Sequence, residues 1–127
     1  GMTTAYDAVR RAMLDSTLAW RTSDLRAALV DSGYVFNRKH ATLQDVRPRV
    51  LGVSERLDGC EIEGLVAKAE PCFVLTKKEG RASAVIVFRH ADGALFAHTA
   101  IAPAHAVAGQ RFDISWPDGA ILSLEED

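Results

Sequence analysis

The sequence predicts a mainly β fold: an antiparallel β-sandwich or open barrel with one N-terminal α-helix packed on it. Three observations predict it. Short apolar runs alternate with turn signals through the second half of the chain, at the spacing expected of all-β folds. No stretch between those runs is long enough for the crossover helices of a parallel sheet. The first segment alone carries a clear helical spacing of apolar residues.

That first segment is "TTAYDAVRRAMLDSTLAW". Tyr6, Val9 and Met13 share one face, with Ala5, Ala8 and Ala12 beside them. Thr4 stands three residues before Asp7, an arrangement like a capping box that places a carboxylate where the helix dipole favours it. The spacing predicts a helix over about residues 4–16. So short a helix needs a larger body to lie on. The next stretch, "RTSDLRAALVDSGY", fits two readings. As a helix, Leu25, Ala28 and Leu29 form its stripe, and propensity favours it. As a strand, Leu25, Ala27 and Leu29 point one way. Ser32-Gly33 ends the element in both cases. Residues 35–49 are polar and irregular, with one helical turn expected in "ATLQDV" before Pro48.

After Pro48 the β-like runs begin. "RVLGVSERL" meets the turn pair Asp58-Gly59, and "CEIEGLVAKA" alternates. "CFVLT", the charged turn "KKEGR" and "ASAVIVFRH" follow. Asp92-Gly93 then turns the chain into "ALFAHTAI". "RFDISW", Pro117-Asp118-Gly119 and "AILSLEED" close it. No internal repeat, low-complexity segment or linker divides the chain. One domain over residues 2–127 is expected, with the β body over about 24–125.

Composition bounds the function. A chain of 127 residues buries roughly two thirds of its unfolded surface, enough for its own core. Its hydrophobic share of 48% and charged share of 25% are globular values, which argues against disorder. The net charge of −2 leaves no basic excess to neutralise phosphates, so no nucleic-acid partner is expected. The small clusters Arg38-Lys39-His40 and Lys77-Lys78-Arg81 read as solvated loop charges. No apolar run reaches the ~20 residues of a membrane span, and no membrane partner is expected. No secretory signal is visible, so synthesis in the cytoplasm is expected. Gly1 before Met2 reads as a tag remnant. Cys60 and Cys72 are expected as reduced thiols rather than a bridge.

Chemistry is hard to find. Glycine-rich phosphate loops, nucleophile elbows, zinc-protease helices and calcium loops are all absent from the sequence. His90, His98 and His105 could converge on a metal, since imidazoles suit zinc, but no carboxylate or cysteine stands near them at ligand spacing. Cys72, beside Phe73 and Val74, reads as a small buried hydrophobe rather than a nucleophile. Asp113 and Asp118 flank Trp116, yet Asp118 is explained by its turn. No catalytic residue, cofactor or metal is assigned, and no enzymatic activity is expected.

The order of several short pieces resembles small structural proteins of tailed bacteriophages and prophages. These open with an N-terminal helix. They continue with a piece like "DLRAALVDSGY" and a polar, histidine-containing stretch ending like "NRKHATLQDV". Pieces like "RVLGVSERLDG" and "GLVAKAEPCFVL" follow, then "ASAVIVFRHADGALFAH", and last "FDISWPDGAILSL". The resemblance spans nearly the whole chain. It departs at a Gly-rich middle segment common in such proteins, where this chain has charges. It implies that "DLRAALVDS" is a strand, against its propensity. It also implies a non-enzymatic virion component of the head, connector or tail, working by packing against other virion proteins or its own copies. Trp20, Tyr34, Phe36 and Phe112 are the candidate interface aromatics. The rival expectations are a carbohydrate- or small-ligand-binding sandwich with an aromatic patch around Trp116, and a metal enzyme built on the three histidines.

Overall fold

Each turn signal of the second half separates two strands in the computed structural model, which describes residues 3–6, 20, 22–64 and 66–123. In chain order the strands are β1 (Thr3–Ala5), β2 (Leu25–Asp31), β3 (Val50–Val53), β4 (Glu61–Glu63), β5 (Val66–Lys68), β6 (Cys72–Leu75), β7 (Gly80–Arg89), β8 (Leu95–Ala106), β9 (Arg111–Ile114) and β10 (Ala120–Ser123). All pairings are antiparallel. One sheet has the order β1-β8-β7-β2-β3, a second β10-β5-β4, and a third pairs β6 with β9. The protein is mainly β and antiparallel.

The long hairpin β7–β8 is the frame. Its turn is closed by Gly93, whose φ of 76° is a conformation that glycine adopts without strain. Asp92 braces the turn by accepting from the Ala94 N–H and from both arms of the Arg89 guanidinium, at 3.0 and 2.7 Å. β2 then lies along β7 from Leu25 opposite Arg89 to Asp31 opposite Ala82. Thus "DLRAALVDS" is a strand. The reason is burial on both faces: Ala27, Ala28, Leu29 and Val30 are all fully buried. A strand covered on two sides reads as a continuous apolar run, and such a run mimics a helix by propensity.

The two faces of the five-stranded sheet carry separate cores. On one face Leu25, Ala27, Leu29, Val85, Val87 and Phe96 pack against Ala67, Val74, Ile114, Trp116 and Ile121 from β5, β6, β9 and the β10 region. On the other, Ala28, Val30, Ala84, Ile86, Phe88 and Leu95 are covered by Tyr6 and Val46, with Tyr34, Phe36 and Leu43 from the irregular segment 32–49. That segment is held by two 3-10 turns, Leu43–Asp45 and Arg47–Arg49. Asp45 fastens the first by accepting from the Ala41 and Thr42 N–H groups.

Several expectations need correction. Thr4 and Ala5, the intended first turn of the N-terminal helix, belong to β1, where Thr4 sits opposite His98. The edge of β8 supplies backbone partners there, and β-branched threonine suits a strand. The remainder of the 4–16 helix, from Asp7 on, lies outside the described residues. "CEIEGLVAKA" is not one strand. Gly64, with φ of 62°, breaks it into β4 and β5, which pair with Glu61 opposite Lys68. β8 runs past the expected "ALFAHTAI" to Ala106 and includes Pro103. The register against β7 slips between Ala82 and Ala84, so a residue without an N–H is accommodated there.

Among the described residues, one buried side-chain group lacks a partner. The Thr76 hydroxyl, on a residue 2% exposed, makes no hydrogen bond. Replacing Thr76 with the isosteric valine is expected to leave stability unchanged or raise it by about 1 kcal/mol, since a desolvated hydroxyl is removed and nothing is orphaned. Urea unfolding of the Thr76→Val variant measures this; a loss of more than about 1 kcal/mol would mean the hydroxyl is satisfied after all.

Candidate functional site

The densest group of polar and aromatic side chains lies where segment 32–49 covers the sheet. The Tyr6 and Tyr34 hydroxyls are 3.0 Å apart, and the Tyr34 hydroxyl is 3.1 Å from His40 Nδ1. With His40 protonated on Nε2, Tyr34 donates to Nδ1 and Tyr6 donates to Tyr34, which satisfies both phenols. Phe36 packs on Tyr6 and His98, with ring centroids at 5.2 and 4.9 Å, and Tyr34 packs on His98 at 5.7 Å. Burial raises both tyrosine pKa values, so the phenols remain donors across the physiological range. His98 gives the cluster a response to pH. Burial beneath the aromatic rings holds the His98 pKa below its ordinary value.

The sign of that response follows from linkage. A histidine with a lowered folded pKa binds protons more readily when unfolded. It therefore subtracts stability as pH falls below the ordinary imidazole value of roughly 6.5. The lowered carboxyls Asp24, Asp45 and Asp92, each held down mainly by its hydrogen bonds, lose their contributions only below roughly pH 4. Between pH 7.5 and 5.5 His98 is expected to contribute a loss in stability. Denaturant unfolding at those two pH values should show a smaller difference for His98→Phe than for the parent; an equal difference would place the response elsewhere.

The three histidines of the metal reading are not brought together. His90 is exposed beyond β7, His98 is half-buried in β8, and His105 is exposed further along β8, with Nε2 3.5 Å from Glu79 Oε1. Seven residues of strand separate His98 from His105 by about 23 Å. Among the described residues no group of three or more His, Cys, Asp or Glu side chains is placed to hold a metal.

Both cysteines are free and half-buried. Burial pushes the Cys72 thiol up to about 11, far from the thiolate a nucleophile needs. Trp116 is only 5% exposed and donates its Nε1–H to the Glu70 carbonyl at 3.2 Å, so it offers no platform for a sugar.

The interface aromatics are also redistributed. Trp20 is 1% exposed and belongs to the core; its Nε1–H donates to the Lys68 carbonyl at 3.1 Å. Tyr34 and Phe36 are half-buried against the second core, and Phe112 against the first. Among the described residues, the large apolar side chains that do face solvent are Val35, Val53, Ile62, Phe73 and Leu75. Phe73 and Leu75 point outward from β6 while Val74 points inward, and Arg111 covers the Phe73 ring at 4.0 Å. In "CFVL" both faces are apolar, so alternation could not reveal which side was outside.

A cleft of about 710 Å³ opens at the end of the β7–β8 hairpin. Its lining includes Leu43 of the first 3-10 turn, Arg47 at the start of the second, and His90 and Asp92 of the hairpin turn. Phe88 and Val53 complete its apolar lining. A shallower hollow of about 400 Å³ lies over β6 and β9. No family model matches the chain, and no curated protein or solved structure shows a significant match to it. Among the described residues no helix is long and apolar enough to cross a membrane.

Proposed function

We propose that this chain is a non-enzymatic structural component of a tailed-phage or prophage virion, a β-sandwich of the head, connector or tail that works by packing against neighbouring subunits. The observation that carries the reading is the ordered resemblance of the sequence pieces, together with where those pieces fall in the fold. "DLRAALVDSGY" is β2 and its turn, "RVLGV" ends as β3, and "ASAVIVFR" is the body of β7. "ALFAH" opens β8, and "FDISWPDGAILSL" covers β9, the turn and β10. The pieces that carry the resemblance thus fall on β2, β3, β7, β8, β9 and β10. Exposed Val53, Ile62, Phe73 and Leu75 are the kind of apolar anchors a packing function uses.

The test is induction of the prophage in the source strain, followed by density-gradient purification of particles. The chain is expected to band with the particles. Its recovery only as free protein at the top of the gradient would contradict the proposal.

A further inference from the structure

The cleft at the hairpin end has an unspent positive charge. Its carboxylate, Asp92, is already held by both arms of Arg89. The nearby Asp24 is held in the same way by Arg26, at 3.0 and 3.1 Å. Arg47 is exposed and has no carboxylate partner among the described residues, and exposed His90 lines the same cleft. The cleft lining also includes apolar Leu43, Phe88 and Val53, and Val53 leaves 38% of its surface open to solvent. Such a cleft suits a short acidic segment with one aliphatic anchor.

The chain carries a segment of that composition, Leu124-Glu125-Glu126-Asp127, directly after β10. It cannot serve its own cleft. Ile121 of β10 packs in the core on one face of the five-stranded sheet, whereas Phe88 and Leu43 of the cleft belong to the other face. β10 also lies beside β1, at one edge of that sheet, while Val53 lies on β3 at the opposite edge. Four strand spacings separate those edges by about 19 Å, before the sheet is rounded. Four extended residues reach only about 14 Å.

We propose that the cleft receives the Leu124–Asp127 segment of a second copy, Leu124 against Phe88 and Val53 and the carboxylates against Arg47 and His90. Such a contact joins different surfaces on the two copies and is heterologous. Repetition of it closes a ring or extends a filament. One short segment binds weakly, and ring closure strengthens it through effective concentration. The inference concerns the chain's contact with itself and stands apart from the virion reading, so either can fail alone.

Sedimentation velocity of the full chain at low salt tests it, using Arg47→Glu and the double variant Glu125→Lys, Glu126→Lys. Arg47 is exposed, and thermal unfolding checks that each variant is folded. The parent chain is expected to form oligomers that dissociate as salt rises. Each variant alone should associate at least about tenfold more weakly. An equimolar mixture of the two variants should recover association, because each reversed tail meets a reversed cleft. A monomeric parent chain, variants that assemble like the parent, or a mixture that fails to recover would each overturn the proposal. A fluorescent peptide of sequence Ser-Leu-Glu-Glu-Asp should bind the chain truncated after Ser123; failure to bind at millimolar concentration would also overturn it.

Discussion

Replacing Trp20 with alanine is expected to cost about 3–5 kcal/mol, the largest single loss at any position of this chain. The indole is 1% exposed and packs at 6.0 Å on the Phe96 ring, in the core between the five-stranded sheet and the smaller ones. Its removal opens a cavity that rigid sheets on either side cannot collapse to fill. It also deprives the Lys68 carbonyl of its indole donor. Typical domains are stable by only 5–15 kcal/mol, so the alanine variant should be partly unfolded at 37 °C. Trp20→Phe keeps the ring and loses chiefly the hydrogen bond and some volume, so its cost should be roughly half as large. Chemical denaturation of both variants checks the order. A Trp20→Ala loss below about 1 kcal/mol would mean that the indole is a surface anchor and not part of the core.

Gly52→Ala is the second. An added Cβ at Gly52 would meet Val74 Cγ1 at 2.6 Å and the Leu75 carbonyl oxygen at 2.8 Å, with Thr76 Cα at 3.3 Å. Two of those three atoms are backbone, so no rotamer change clears the space. β3 and β6 would have to separate where they are tied, at the bridge between Ser54 and Val74 and by the Lys77 N–H donating to the Leu51 carbonyl. The expected cost is about 1–3 kcal/mol. Gly64→Ala provides the contrast: no atom lies near its Cβ position, and only its positive φ is strained, for about 1 kcal/mol. If Gly52→Ala proves the milder of the two, β3 and β6 are not in the close approach described.

The β framework was readable in advance because turn chemistry is local. Asp92-Gly93 and Pro117-Asp118-Gly119 announce themselves through residues whose backbone preferences need no context, and each falls between two strands. The faces were less readable. Trp20, Tyr34 and Phe36 stand in polar or irregular stretches, and from the sequence they fit ordinary core as well as interface anchors. Only tertiary packing shows that segment 32–49 folds back over the sheet and turns Tyr34 and Phe36 inward. β1 escaped notice for the same reason. Its pairing with β8 joins residues more than ninety positions apart, and three residues, Thr-Thr-Ala, are too few to show a strand's alternation. The histidines illustrate the converse. His90 and His98 are close in sequence, yet one ends in solvent and the other lies under two aromatic rings, because β8 places them at different levels of the hairpin.

The proposed packing function comes down to whether the chain is a fixed part of a particle. Quantitative mass spectrometry of particles taken through successive gradients measures this directly. The account predicts a ratio of this chain to the major capsid protein that stays constant from one gradient to the next. A ratio that falls at each step toward zero, with intact particles remaining, would contradict it.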